Sequence, residues 1–533
     1  MLFNLITTRI SFREIKLDKQ VFISISTLIL FGVILFGSIW SASKVYDTSW
    51  DGQSYHQDSI INLNNGWNPF YKVLQNNETV DNAVLSNAYA KGPWYWATSI
   101  WKVTGSLESG KAVNLILLAS SFLLLFGTLI SIFPDKNKFW LFLITGIGAL
   151  NPIVINELGT FYVDGQLAST ILMLGSSILL LYNKPSKFNL LLHCLILSIG
   201  LQIKLTAFVY LIFFQALYWS VLTITRNKLT KKYLYATATS VVFSILILGY
   251  SPFVTNTINY KNPLYLVIGT GNIQLKPTNV PVNYIYKSTP EILFSSIFFK
   301  SDSKRVTGGS QVAPAEFKIP FTYDSNELNS FQQTPALGGF GPLFSGIILL
   351  VIIILIWGIV KFYYSQNSDD SRSSVVNFNF LIVSIIAIVG SSLINFAPST
   401  ARYIPQFWFV TLVVLIFITS YKNTFAKLVG TGILIVCYFN IYLIGSTYFK
   451  YAYEASNEID TKLTMLNDAS MNGKVLVLLN RMPSTSTRLK QAGINYEVID
   501  SPDQMRSECK NRKYQYFPGN ESTICLDLIS EKK

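Results

Sequence analysis

The chain has 533 residues, 50% of them hydrophobic, 14% aromatic and only 13% charged. Soluble domains carry about 25% charged residues, so this composition excludes a water-soluble globule and indicates a membrane protein. The 42 Lys and Arg outnumber the 29 Asp and Glu, for a net charge of +13, yet the basic residues flank apolar runs, which argues for a lipid bilayer and against nucleic acid as the partner.

A bilayer-crossing helix needs about 20 apolar residues. The first run, 21–41, follows Arg9, Arg13, Lys16 and Lys19. It is longer than the 7–15 apolar residues of a signal peptide, so it is expected to stay as a span despite the small residues Ser41, Ala42 and Ser43. A hydrophilic stretch, 42–109, precedes runs at 110–133, 139–156, 163–182, 188–203, 205–223 and 234–254. A second hydrophilic stretch, 255–342, precedes runs at 343–361, 375–396, 403–420 and 425–447, and a polar tail fills 448–533. These eleven runs predict about 11 transmembrane helices. Lys136 and Lys138, Lys184 and Lys187, Arg226 to Lys232, Lys361 and Arg372, and Lys422 and Lys427 all fall in alternate gaps. By the positive-inside rule residues 1–20 are cytoplasmic, and the outer loops 42–109 and 255–342 and the tail are extracytoplasmic. The expected organisation is therefore a membrane module over 21–447 and an extracytoplasmic α/β domain over 448–533.

Every long hydrophilic segment then lies outside, and no cytoplasmic segment is large enough to bind a nucleotide. In the first outer loop, Asp47, Asp51 and Asp58 surround Tyr55 and His56. A helix over 52–64 would place Tyr55 and Asp58 on one side and Ile60 and Leu63 toward lipid or core. Lys91, Gly92 and Pro93 open a second aromatic helix, to about Val103, suited to the headgroup level. Glu157, Asp164, Lys204 and Arg402 sit at the outer ends of separate spans. Ionisable groups at that depth are expensive unless paired or bound, so their shared level suggests one site facing the loop. The plain alternatives are solvated loop acids for the aspartates and snorkelling to lipid phosphate for Lys204 and Arg402.

The second outer loop, with Gly338, Gly339 and Gly341, has the length and composition of a cover over that site. The tail alternates strand-like Lys474–Leu479, helical Ser484–Ala492 and strand-like Tyr496–Ile499. Cys509 and Cys525 can form one disulfide there if the tail is outside. Cys194 and Cys437 read as buried thiols, and His193 as a hydrogen-bonded packing residue.

Asp51 to His56, Gly66-Trp67-Asn68-Pro69, Lys91-Gly92-Pro93, Tyr162-Val163-Asp164-Gly165 and Ala401-Arg402-Tyr403, within this architecture, resemble the GT-C superfamily of integral-membrane glycosyltransferases of the bacterial type. The resemblance covers nearly the whole chain as architecture and these motifs as residues. It implies a polyprenyl-phosphate-linked sugar donor, transfer on the outer face to a glycan, lipid or protein acceptor, and a place in cell-envelope polysaccharide or glycoconjugate synthesis. By position Asp51 inherits the role of catalytic carboxylate, with Asp58 and Asp47 as substitutes. His56, Tyr55, Lys91, Asp164, Glu157, Lys204 and Arg402 become candidate substrate-binding residues. Metal-dependent members use Mg or Mn; this loop lacks their Asp-x-Asp or Asp-Glu pair, so a metal site is not assigned. The competing class is a multispan transporter or flippase of lipid-linked substrates. It calls for ionisable residues near the midplane and broken-helix repeats, which the sequence does not show.

Overall fold

The computed structural model describes residues 19–75, 82–267, 278–306, 311–364, 378–421, 423–471, 473–509 and 514–526. Of the basic positions used for orientation, Arg9, Arg13, Lys16, Arg372 and Lys422 lie outside these residues. The chain is an α-helical, multi-span membrane protein with a small C-terminal α/β domain. Seven described helices are long and apolar enough to cross a bilayer: Val21–Ser43, Glu108–Ile132, Asp164–Asn183, Leu205–Ile224, Thr230–Leu248, Phe344–Lys361 and Thr424–Ser470. Shorter apolar helices occupy the other four expected runs, at Lys138–Ala149, Lys187–Leu201, Phe378–Leu393 and Pro405–Thr419.

The run at 139–156 is not one helix. It breaks into Lys138–Ala149 and Pro152–Asn156 because Pro152 has no N–H to continue the ladder. Asn151 caps the second piece through Ile153 N at 3.0 Å, and its amide donates to the carbonyl of Pro405 at 2.9 Å. The break thereby ties the third run to the tenth beside the site.

Leu129, Leu141, Ile144, Leu197, Leu415 and Ile433 are fully enclosed in one continuous core between helices. The first helix instead leaves Phe22 and Phe36 about two-thirds exposed, at 65% and 71%, as a lipid-facing surface does. His193 is a packing residue: its ring lies between Ser177 Oγ and Gln215 Oε1, both at 2.8 Å.

The first outer loop begins its helix with a π-helical turn, Gly52–His56, followed by Gln57–Asn64. Ile60 and Leu63 pack inward with Trp67, Trp94 and Trp101. The second aromatic helix, Gly92–Thr104, buries Trp94 and Trp101 in this cluster. In the second long loop, Gly338 exchanges backbone hydrogen bonds with the turn before Arg402: Gly338 N to Ser399 O at 2.9 Å and Ala401 N to Gly338 O at 2.7 Å. Gly338 holds φ +68, and a side chain there would press on Ser301. This seats the loop on the end of the bundle that carries Arg402.

The C-terminal sheet has the order β2-β1-β4-β3, with strands Val475–Leu478 (β1), Tyr496–Val498 (β2), Tyr514–Tyr516 (β3) and Thr523–Leu526 (β4). β1 runs parallel to β2 and antiparallel to β4. Helix Ser484–Gln491 joins β1 to β2, as the alternation in the tail predicts. Cys509 and Cys525 form the disulfide, while Cys194 and Cys437 are free. Thr424–Ser470 is a single helix that carries the apolar eleventh run directly into this domain.

Candidate active site

Asp51 lies on the last residue before the π-helical turn, and its Oδ2 accepts from Arg402 Nη1 at 3.0 Å. Arg402 reaches it from a one-turn helix, Ala401–Tyr403, held by the second outer loop. Its Nη2 donates to the hydroxyl of Tyr403 at 2.9 Å, and that hydroxyl donates to Asn279 Oδ1 at 3.0 Å. The guanidinium also lies over the rings of Tyr162, at 5.1 Å, and Tyr403, at 4.9 Å. Lys204 reaches the same Tyr403 ring, at 5.2 Å. Its ammonium donates to Asp164 Oδ1 at 2.5 Å. Two carboxylate–cation pairs from four distant segments thus meet around one aromatic ring. Both pairs are largely enclosed, with side-chain exposures of 20% or less.

Two further groups point into this region without a protein partner. The imidazole Nδ1 of His56 accepts from Trp94 Nε1 at 2.8 Å, which places the proton of a neutral ring on Nε2, and Nε2 is buried with no partner. Burial first, then Lys204 and Arg402, hold the His56 pKa well below the usual imidazole range, so the ring stays neutral. Glu157 accepts from Gly165 N at 2.7 Å through Oε2, while Oε1 is buried and unpartnered. Burial and the neighbouring Asp164 push the Glu157 carboxyl well above its ordinary pKa. His56 therefore offers an unused N–H and Glu157 an unused carboxyl oxygen. Buried polar groups are nearly always satisfied, so two orphans beside two cations describe a place for a polar, anionic ligand.

The remaining sequence candidates have other surroundings. Asp47 uses both oxygens on backbone N–H groups, Ser49 at 2.7 Å and Phe161 at 2.7 Å. Gly52 makes this possible, because a Cβ there would lie 2.0 Å from Asp47 Oδ2. Asp58 is buried and bonded to Asn62 Nδ2 at 3.0 Å. Lys91 is enclosed, donating to the carbonyls of Asn87 and Tyr89, both at 2.7 Å, between the rings of Trp67 and Trp94. The ring of Tyr55 packs on His56 with centroids 4.3 Å apart.

Among the described residues no three His, Cys, Asp or Glu side chains gather where they could hold a metal ion. Asp51 and Asp164 are each already paired with a cation, Arg402 and Lys204, so this donor set does not fit Mg or Mn.

Three residues that sequence reasoning did not select hold the loop from behind. Glu108 and Lys111 pair at the start of the second span, and Lys111 also donates to the carbonyl of Val45. Arg488 of the C-terminal domain donates to Glu108, to the carbonyl of Asp47 at 2.7 Å and to Gln53 Oε1 at 3.0 Å. A signal was present in the charges at the very start of run 110–133, but nothing local names their partner in the tail.

No protein-family model matches the chain, and no curated protein matches it. Among solved structures, the chain is similar to ArnT from Cupriavidus metallidurans bound to undecaprenyl phosphate, at 11% identity and a TM-score of 0.42, over 95% of this chain and 98% of that one. It is likewise similar to ArnT from the same organism in the apo state, at 11% identity and a TM-score of 0.40, over 94% and 98% of the two chains.

Proposed function

We propose that the protein is a membrane glycosyltransferase of the GT-C type, moving a sugar from a polyprenyl-phosphate donor to an acceptor on the outer face of the membrane. The N-terminus is then cytoplasmic, and the two long loops and the C-terminal domain are extracytoplasmic. The observation that carries this reading is the meeting of Arg402 and Lys204 on one Tyr403 ring with Asp51 in contact with Arg402. The single phosphate of such a donor offers anionic oxygens to two adjacent cations, and Arg can bind two of them at once. The isoprenoid tail holds that phosphate at the membrane surface, so no nucleotide-binding domain is required.

Arg402 pairs with Asp51. Arrival of the donor phosphate draws Arg402 onto the phosphate oxygens and frees the carboxylate. Asp51 then takes the proton from the acceptor hydroxyl as its oxygen bonds to the anomeric carbon. The bond from that carbon to the phosphate oxygen breaks, and the electron pair leaves with polyprenyl phosphate, whose growing charge Arg402 and Lys204 stabilise. The His56 Nε2 proton and the unpartnered oxygen of Glu157 orient hydroxyls or phosphate oxygens. Asp47, Asp58 and Lys91 support the loop in this scheme. Cell-envelope polysaccharide or glycoconjugate synthesis is the setting such a reaction serves.

The test is to supply the purified protein in vesicles with a panel of radiolabelled polyprenyl-phosphate sugars and a membrane extract as acceptor. Consumption of one donor with release of polyprenyl phosphate is expected. If no donor is consumed, the reading fails.

A further inference from the structure

The membrane module holds a cavity that the transfer scheme does not use. It has a volume of about 340 Å³ and lies between the helices Asp164–Asn183, Leu205–Ile224, Phe378–Leu393 and Pro405–Thr419, within the size range of small-molecule sites. Its walls are apolar, with Leu172, Leu217, Val383 and Leu412 among them. The cavity starts at Ile171 and Phe409, which follow Asp164 and Arg402 by seven residues each, and runs to Tyr182, Thr225 and Asn379 at the opposite end of the bundle.

Length, an inner hydroxyl and charge at the mouth select the ligand class. From Ile171 to Tyr182 the helix Asp164–Asn183 rises about 16 Å, at 1.5 Å per residue. That is about half of a 30 Å hydrocarbon core, the depth of one leaflet and of one acyl chain.

Tyr218 lines the cavity, and its hydroxyl is buried without a partner. Its ring is pinned edge-on against Tyr233, with centroids 4.8 Å apart. Seven residues separate Tyr218 from Thr225, which sets it about 10 Å in from that end of the helix, just below the headgroups, where the ester carbonyls of a glycerolipid lie. Buried hydroxyls are nearly always satisfied, and an ester carbonyl is an acceptor for this one.

At the mouth, Tyr182 is followed by Lys184 and Lys187, and Thr225 by Arg226 and Lys228, all exposed. Among the described residues none of these four cations is in an ion pair. Basic residues beside a gap between spans are suited to anionic lipid headgroups. Gly175, Tyr182 and Asn379 are exposed, so the cavity opens sideways toward the bilayer.

We infer that this cavity binds one anionic phospholipid from the leaflet that faces Lys184 and Arg226. An acyl chain fills the cavity, an ester carbonyl accepts from Tyr218, and the phosphate lies among the four cations. The inference stands apart from the transferase reading, whose donor phosphate is held at the other end by Arg402 and Lys204. A polyprenyl tail entering from that end is the competing occupant, but it would leave the cations at the far mouth without an anion.

The experiment is native mass spectrometry of the full-length protein, delipidated in detergent and then given phosphatidylglycerol, phosphatidylcholine with the same chains, or polyprenyl phosphate. Wild type is expected to retain one phosphatidylglycerol, at least fivefold more than phosphatidylcholine. Gly175 is on the cavity wall with no atom within 4 Å of where a Cβ would stand, so Gly175→Leu fills the space without a clash. That variant and Tyr218→Phe should each lower phosphatidylglycerol retention at least fivefold, with thermal unfolding in detergent unchanged. Lys184→Gln combined with Arg226→Gln should remove the preference for phosphatidylglycerol. Equal retention of the two phospholipids by wild type, or phosphatidylglycerol retention indifferent to Gly175→Leu or to Tyr218→Phe, overturns the inference. Loss of polyprenyl phosphate but not of phosphatidylglycerol in Gly175→Leu gives the cavity to the donor's tail and overturns it as well.

Discussion

Arg488 places both Nε and Nη2 on one oxygen of Glu108, at 3.0 and 2.6 Å, across 380 residues of sequence. The other oxygen of Glu108 takes the N–H of Asp47 at 3.2 Å and the ammonium of Lys111. Three segments are locked through one carboxylate. Breaking a buried pair by removing one partner strands the other charge and costs about 3–5 kcal/mol. Arg488→Met should therefore lower the unfolding temperature and make the C-terminal domain accessible to limited proteolysis. Adding Glu108→Gln should deepen the loss, because it leaves the buried Lys111 without its carboxylate. Wild-type protease resistance in Arg488→Met would show that the lock does not hold the domain down.

Asp51→Asn keeps the side chain's shape and removes its capacity to take a proton, so donor binding should survive while transfer falls about 100- to 10,000-fold. Asp47→Asn should act differently. One of its two backbone N–H contacts loses its acceptor, at a cost of about 1–3 kcal/mol of stability. Activity per folded molecule should then change little. Near-normal transfer by Asp51→Asn with loss in Asp58→Asn would move the base to Asp58.

Arg402→Gln and Lys204→Gln should each weaken donor binding by about 1.5–3 kcal/mol, the range for hydrogen bonds to charged groups. Lys204→Gln also leaves Asp164 buried without its cation, so its stability must be compared with Lys204→Gln combined with Asp164→Asn. If the double variant regains stability but not donor affinity, Lys204 binds phosphate; if it regains both, Lys204 serves only Asp164.

Burial pushes the Asp58 pKa from 3.8 up to about 7. The folded protein then binds this proton more tightly than the unfolded chain between about pH 4 and 7, so stability contributed by the group is present below pH 4 and lost as pH rises toward 7. Asp58→Asn should flatten that part of a plot of unfolding temperature against pH. An unchanged slope would mean that another buried acid, such as Asp47, dominates it.

Orientation can be read with single cysteines, because Cys194 and Cys437 are enclosed or half-buried and the other two are bridged. Suitable probes are Tyr286 and Met471, both well exposed, against Lys228. Cysteine at 286 and 471 should react with an impermeant thiol reagent from outside and cysteine at 228 should not. The reverse pattern would put the site on the wrong face.

Much of the membrane module is legible because the bilayer imposes a length. All eleven apolar runs correspond to apolar helices, although four are shorter than a full span. The split at Pro152 was readable from the missing N–H, but a hydropathy count passes over it. Arg402 and Lys204 stand out because a charge at the membrane edge is costly wherever its partner lies. Their choice of Asp51 and Asp164 does not stand out, since pairing across 351 and 40 residues is decided by the fold. Asp47 and Asp51 look alike in sequence; only the N–H groups of Ser49 and Phe161 tell them apart. Asn279, Glu108 and Arg488 were missed for the same reason.

The 47-residue helix Thr424–Ser470 has a geometric consequence. At 1.5 Å per residue it is a rod of about 70 Å, roughly twice what the hydrocarbon core of a bilayer requires. Tyr46, just past the first span, grips it sideways at Ser456 Oγ and Asp460 Oδ1, at 3.0 and 2.9 Å. The bearing of the C-terminal domain is therefore a matter of angular phase. One residue added near Lys450 would swing everything beyond it by about 100°, whereas seven would bring it nearly back into step. The number of residues between the membrane and the sheet sets which face of the domain looks down on Asp51.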